Sequence, residues 1–321
     1  MRKFEDRRAQ LKHRIDTGQL TVAPGAYDAL TARAIEAAGF EAVYMTGHGV
    51  SAGTIAYTDV GLLTMSEMVQ SAHNMAQAIS VPLIADMDTG YGNAVNVTRA
   101  VREFEQAGVA AVQMEDQAMP KKCGFMKGKA LVSKDEMVGK IKAAVAARED
   151  PNFLIVARCD ARAVEGADAM YARLEAYAEA GADLLYAEAP RDADDIRHDA
   201  ATLQAFGKPL YLIGNWLGPR YGLTVDDVDQ LGFSLLILPE LSFTIVPQAV
   251  YQAAKQIRDT GIYEDMVADG RQMAWDDVQD LIRLPEVSHI EETFLADDVK
   301  QERWGSTELP GEDDYYIPNM R

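Results

Sequence analysis

Residues 82–116 read PLIADMDTGYGNAVNVTRAVREFEQAGVAAVQMED, and the fold turns on them. A strand-length apolar run, Pro82 to Asp88, is followed by a longer amphipathic stretch, Asn93 to Ala107, and then by a second apolar run, Ala110 to Asp116. The join, Ala107-Gly108-Val109, is a helix-ending idiom, because glycine readily takes the left-handed conformation that follows a last helical turn. Strand, helix and strand in that order make one unit of a parallel sheet. The idiom recurs at Ala38-Gly39-Phe40 and Ala180-Gly181-Ala182, each time with a strand directly after it.

Working outward, the same reading predicts strands at Thr21 to Pro24, Ala42 to Gly47, Pro82 to Asp88, Ala110 to Asp116, Phe153 to Ala161, Leu184 to Pro190, Pro209 to Asn215 and Phe233 to Pro239. The gaps are filled by predicted helices at Ala26 to Ala38, Met65 to Ile79, Asn93 to Ala107, Lys134 to Arg148, Ala167 to Ala180, Asp192 to Phe206, Thr224 to Leu231 and Ile245 to Arg258. Eight such units need about 250 residues. The stretch from Thr21 to Arg258 nearly matches that, and no GxGxxG follows the first strand. The expectation is an α/β fold, a closed (β/α)8 TIM barrel over residues 1–260. Residues 261–321 form a C-terminal extension, with a helical stretch around Tyr263 to Leu284 and an acidic tail.

With 321 residues, 48% hydrophobic and 25% charged, the chain can bury one large core. Met1 to Asp16 is dense in charge and lacks the apolar stretch of a secretory signal, which points to a cytoplasmic protein. The longest apolar runs, such as Phe233 to Leu238, are strand-sized, so no membrane span is expected. Cys123 and Cys159 show no paired metal-ligand spacing and suit a reducing compartment. A formal net charge of −19 repels nucleic acid and any small anionic ligand alike. An enzyme acting on such a ligand therefore needs a metal ion or a few placed cations.

Barrel enzymes carry their reactive groups at the C-terminal ends of the strands. The third predicted strand ends Ala85-Asp86-Met87-Asp88, where alternation sends both carboxylates to one side, and Glu115 stands near the end of the fourth. Asp86, Asp88 and Glu115 are hard oxygen donors able to hold Mg²⁺, or Mn²⁺ in its place, directly or through water. Each acid taken alone reads equally well as a helix cap or an arginine partner, and only their convergence favours a metal. Met119 to Lys129, with Gly124, Gly128, several exposed-looking lysines and Cys123, has the composition of a mobile lid. Cations beside Cys123 favour its thiolate and suit it to proton transfer, whereas the plainer reading is a solvated basic loop. Cys159, inside the fifth strand, reads as core packing. Arg158 is open to two compatible readings, a substrate carboxylate or an ion pair with Glu188, and Asn215 closes the seventh strand.

The run Glu115-Asp116-Gln117 through Pro120-Lys121-Lys122-Cys123-Gly124 resembles the catalytic loop of isocitrate and methylisocitrate lyases, within the isocitrate lyase and phosphoenolpyruvate mutase superfamily. It is joined in the family's order by Tyr44-Met45-Thr46-Gly47, Asp59-Val60-Gly61-Leu62-Leu63-Thr64, Ala85 to Gly92, Ala157-Arg158-Cys159-Asp160-Ala161 and Ala187-Glu188-Ala189-Pro190. The similarity covers roughly residues 5–260 and is greatest to the methylisocitrate and 2,3-dimethylmalate lyase-like branch. The resemblance implies a barrel whose last helix is exchanged between subunits, a homotetramer, and Mg²⁺ beneath a closing loop. It implies Asp86 as the direct ligand, with Asp59, Asp88 and Glu115 supporting the metal through waters. Thr46 and Gly47 match positions that hold the carboxylate of a 2-oxo acid, and Gly124, Arg158, Glu188 and Asn215 match positions near substrate. Cys123 matches a general acid, and Tyr44 is a candidate base whose alternative role is barrel packing.

Two departures bear on substrate. Phe125 stands where lyases of tricarboxylates carry His, and Asn215-Trp216-Leu217-Gly218-Pro219-Arg220 replaces small hydroxyl residues. They point to a substrate with fewer carboxylates, such as a 2-alkylmalate or dimethylmalate, cleaved to a 2-oxo acid and a carboxylate. Oxaloacetate decarboxylation is the nearest rival. Phosphonopyruvate hydrolysis and phosphoenolpyruvate mutation fit less well with a Lys-Cys-Gly loop, and a non-catalytic binding protein lies further off. A Schiff-base aldolase using Lys121 or Lys122 is disfavoured by their place on a loop.

Overall fold

The computed structural model describes residues 2–124, 126–214, 217–218, 222–262 and 270–304. The expected Asn215, together with Phe125, Trp216, Arg220, Tyr263 and the acidic tail, lies outside the described residues. Two compact units are formed, Met1–Lys255 and Gln256–Arg321.

In the first unit eight parallel strands close on themselves in sequence order: β1 (Thr21–Ala26), β2 (Val43–Met45), β3 (Leu83–Asp86), β4 (Ala111–Glu115), β5 (Leu154–Cys159), β6 (Leu184–Ala187), β7 (Leu210–Ile213) and β8 (Phe233–Leu238). The ring is sealed by β1 against β8, in register Thr21 with Leu235 through Pro24 with Leu238. All eight predicted strands are present, and most end earlier than predicted because the polar residues after them have already left the sheet. The helices are α1 (Arg2–Asp16), α2 (Ala29–Ala37), α3 (Gly47–Ile55), α4 (Met65–Ala78), α5 (Ala94–Ala107), α6 (Lys134–Ala147), α7 (Ala167–Glu179), α8 (Ala193–Leu203), α9 (Val225–Gln230) and α10 (Leu241–Thr260). The idiomatic glycines at 39, 108 and 181 have φ of 91°, 97° and 104°, the left-handed region that ends a helix. Capping boxes start α2 at Asp28, α4 at Thr64 and α5 at Asn93.

Apolar side chains form two layers. One lies between strands and helices, with Met45, Ala85, Val112, Ile155 and Leu212 facing Met75, Phe104, Ile141 and Leu174. The other fills the barrel itself with Tyr44, Ile84, Val156, Tyr186, Tyr211 and Ile237.

Two helices of the first unit escaped the sequence reading. The charged segment that opens the chain is α1, whose Leu11 and Ile15 join the barrel's inner cluster. Arg7 and Arg8 are buried and bond backbone carbonyls: Arg7 donates to Ala76 O at 2.7 Å and to Ile79 O, and Arg8 to Val109 O at 2.9 Å and to Glu105 O. Those carbonyls lie at or just past the C-terminal ends of α4 and α5, where a cation also suits the negative end of the helix, and Glu105 O accepts from Gly108 N as well. The other is α3, which Thr46 caps by accepting from Gly49 N.

The second unit carries α11 (Trp275–Leu281), α12 (Leu284–Phe294) and α13 (Asp297–Trp304). Among the described residues no helix is long and apolar enough to cross a membrane.

Candidate active site

Side chains of one parity fill the barrel, and at the C-terminal ends of the strands the same parity brings polar groups together. It carries Tyr44 and Thr46 on and after β2, Asp86 on β3, Gln113 and Glu115 on β4, Arg158 on β5 and Glu188 just beyond β6. With Asp59, Lys121, Cys123 and Gly124 these residues line a cavity of about 50 Å³, room for a few water molecules. Ile213, Ile237, Pro239 and Phe243 add an apolar side. The cavity thus gathers Tyr44, Thr46, Asp59, Asp86, Glu115, Cys123, Gly124, Arg158 and Glu188 from the expected set, and His48 besides.

Gly47 and Asp88 stand behind this wall. A Cβ on Gly47 would come within 2.6 Å of Asp86 Oδ2, so that carboxylate leans on the bare backbone that starts α3. Asp88 corrects the expectation of a strand running through it. β3 stops at Asp86, and Asp88 has φ of 48°, so a left-handed turn and not alternation places its carboxylate. Asp88 N donates to Asp86 Oδ1 at 2.9 Å, which holds the turn.

The lid lysines are a second correction, since Lys121 and Lys129 are buried. Lys121 Nζ lies 2.6 Å from both Asp59 Oδ2 and Asp88 Oδ1. Burial alone would lower its pKa, but Asp88, Glu115, Asp86 and Asp59 outweigh it and hold the ammonium well above its usual value. A protonated, doubly paired amine is no Schiff-base nucleophile. The aldolase alternative therefore fails on charge and not, as the loop position suggested, on exposure. Lys129 Nζ reaches Asp160 Oδ1 at 2.9 Å and Gly124 O at 2.6 Å.

Arg158 makes one of the two contacts considered for it, the ion pair with Glu188. Its NH2 is 3.6 Å from Glu188 Oε1 and its NH1 3.7 Å from Glu115 Oε2, while it still lines the cavity. Its Nε and NH2 are clamped by Asp160 at 2.8 and 3.0 Å, a fork the sequence reading did not assign. Tyr186 OH donates to Glu188 Oε2 and fixes that carboxylate in turn. Asp160 stands two residues from Arg158, and Tyr186 two from Glu188. That spacing was the available signal for both.

The lid is held at its roots by Gln117, whose side chain accepts from Lys122 N and donates to Lys122 O, both at 2.9 Å. Cys123, half-buried, donates its backbone N–H to Asp59 O at 3.1 Å. Cys159 is buried in the core, as expected, and burial pushes its thiol well up, so it is inert. Burial and the charge of Asp86 likewise push the Tyr44 phenol well up, so it holds its proton here.

A family model described as phosphoenolpyruvate phosphomutase matches residues 10–258. The chain belongs to the phosphoenolpyruvate mutase and isocitrate lyase superfamily. It is 44% identical to a 2,3-dimethylmalate lyase of Eubacterium barkeri, over 88% of this chain and 96% of that one. It is 41% identical to a 2-methylisocitrate lyase of Aeropyrum pernix, over 80% and 82% of the two chains. A crystal structure of 2,3-dimethylmalate lyase superimposes with a TM-score of 0.82 at 30% identity, covering 94% of this chain and 98% of that one. A phosphonopyruvate hydrolase in complex with oxalate and Mg²⁺ does so with 0.80 at 31%, covering 90% and 99%.

The superfamily's metal can be tested against these residues. Six buried carboxylates, Asp59, Asp86, Asp88, Glu115, Asp160 and Glu188, face three buried cations, Lys121, Lys129 and Arg158. Such an excess is costly unless a cation offsets it. Burial first, and then the charges of Asp86 and Asp59, push Asp88 up to about 6 against the pull of Lys121. Glu115 is pushed well up by burial, and its Oε1 has no hydrogen-bond partner among the described residues. Among the described residues no three His, Cys, Asp or Glu side chains close on one point. The excess of buried carboxylates is what a divalent cation, with its preference for oxygen donors, would offset.

Proposed function

We propose that this protein is a Mg²⁺-dependent lyase that breaks a carbon-carbon bond in a small 2-hydroxy dicarboxylate, a 2-alkylmalate, dimethylmalate or methylisocitrate-like molecule, releasing a 2-oxo acid and a carboxylate. The observation that carries this reading is Cys123, set by the lid on the wall of a cavity that also holds Asp86, Glu115 and Arg158. Mg²⁺ held directly by Asp86, and through water by Asp59, Asp88 and Glu115, would stabilise charge on the hydroxyl and carboxylate oxygens of the 2-oxo acid portion. The N-terminus of α3, at Thr46 and Gly47, offers backbone N–H groups and a positive helix end to one carboxylate. Arg158, braced by Asp160, offers its remaining edge to the other, with Glu188, Gly124 and Asn215 completing the contacts. Tyr44 supplies a hydroxyl at the cavity wall, and the proton that the substrate hydroxyl gives up as the bond breaks passes to a carboxylate lining the cavity, Glu188 or Glu115. Cys123 delivers a proton to the carbon freed by cleavage, and the closed lid excludes competing water.

Ile213, Ile237 and Pro239 favour an alkyl group over a third carboxylate, because an unpaired charge against them would be poorly solvated. A cavity of about 50 Å³ is far below the roughly 300 Å³ and more of a small-ligand pocket, so the lid opens to admit substrate. A homotetramer with exchanged helices belongs to the same reading, and exposed Trp275, Ile290 and Phe294 of the second unit supply apolar surface for it.

The test is pyruvate release, coupled to lactate dehydrogenase, from 2-methylmalate, 2,3-dimethylmalate, methylisocitrate and oxaloacetate. Turnover of an alkylmalate that stops in EDTA, and falls by about 10²–10⁴-fold in Cys123→Ser, is the expected result. Turnover of oxaloacetate alone, indifferent to Cys123, would make the protein a decarboxylase. No turnover of any of them would favour a binding protein.

A further inference from the structure

Lys129 is a buried cation that does not line the cavity, and the reaction gives it no role. Its Nζ bridges two groups of different kinds. One is Gly124 O at 2.6 Å, on the lid beside Cys123, and the other is Asp160 Oδ1 at 2.9 Å, on the barrel. Asp160 is the carboxylate that clamps Arg158 through Nε and NH2. A continuous run of charge-assisted bonds therefore joins the cavity-facing guanidinium to the lid backbone: Arg158, Asp160, Lys129, Gly124.

Packing ties the same ends together. A Cβ on Gly124 would overlap Glu188 Oε1 and fall within 2.6 Å of Arg158 NH2. The lid backbone thus lies directly on the Arg158–Glu188 pair, and lid closure takes that pair out of water. Asp160 is fully buried, and the Lys129 side chain is 2% exposed. Both bonds are thus shielded from solvent in this conformation, where charge-assisted hydrogen bonds are strongest.

We propose that Lys129 is the latch of the lid, a positioning residue that locks Gly124 over the site and reports closure to Arg158 through Asp160. The latch gives Arg158 its working orientation and Cys123 its closed position in one event. It rests on the proposed lyase reading only for what the closed site does, since the latch itself is read from the bonds.

The test uses Cys123 as a probe and needs no substrate. Iodoacetamide labelling of the full-length protein is followed by mass spectrometry, with buried Cys159 as the internal control. Lys129→Met, which keeps the length but removes charge and donors, is expected to speed Cys123 labelling by roughly ten- to a hundred-fold. Cys159 stays protected, and Lys129→Arg, which keeps the charge, falls between Met and wild type. Equal Cys123 rates in wild type and Lys129→Met overturn the latch. So does labelling of both thiols in Lys129→Met, because the lysine would then hold the barrel and not the lid. If no candidate substrate is turned over by wild type, the lyase reading fails while the labelling result stands.

Discussion

Gly124→Ala is expected to lower kcat/KM on the cognate substrate by about 10²-fold or more, with unchanged far-UV circular dichroism and melting temperature. The added methyl would overlap Glu188 Oε1 and crowd Arg158 NH2. Neither neighbour can step aside cheaply. Arg158 is gripped by both oxygens of Asp160, and Glu188 by Tyr186 OH. The lid must stop short, carrying Cys123 away from the position that the proposed protonation requires. Steady-state kinetics beside Cys123 labelling checks this, with faster labelling accompanying slower turnover. Full activity in Gly124→Ala would mean that the tight closure seen here is not the working state.

The second large effect is on folding. Asp116 is completely buried beside the cavity-lining Glu115 yet faces away from the cavity. It accepts from Tyr177 OH at 2.8 Å, Asp160 N at 2.8 Å and Cys159 Sγ at 3.1 Å, and lies 3.5 Å from Arg173 NH1. Arg173 is anchored on its other side by Glu165. One carboxylate thus ties the ends of β4 and β5 to α7. Burial pushes its pKa up while the Asp160 N–H and the other donors oppose that, the mark of a charge kept inside by its partners. Asp116→Ala would strand those donors and leave Arg173 facing a void, at a cost of about 3–5 kcal/mol. Asp116→Asn costs less, since it keeps an acceptor for Asp160 N. Urea denaturation followed by circular dichroism measures both, and a loss below about 1 kcal/mol for Asp116→Ala would remove Asp116 from the framework.

These predictions fall on residues that the sequence displayed without explaining. Asp116 sat in a recognised motif, Glu115-Asp116-Gln117, as though part of the chemistry. Parity separates the three: Glu115 points into the barrel, Asp116 points out toward α7, and Gln117 turns back to brace Lys122. The motif's spacing therefore places one residue on the cavity wall, one in the framework and one at the root of the lid.

What the sequence by itself determined was periodic or local. The succession of strand and helix, the glycines at 39, 108 and 181, and the acids and arginine at strand ends were all legible, because hydrophobic period and helix termination depend on residues a few positions apart. Alternation, applied to Asp86 and Asp88, failed because the chain leaves the strand after Asp86 and turns left-handed at Asp88. Only the tertiary structure decided the pairing of charges far apart in the chain. Lys121 with Asp59, Lys129 with Asp160, and Arg7 and Arg8 with the ends of α4 and α5 each depend on where a segment returns in space. A lysine on a glycine-rich loop looks exposed until a distant carboxylate meets it, and the charge balance that buries it is a property of the closed barrel and not of any window of sequence.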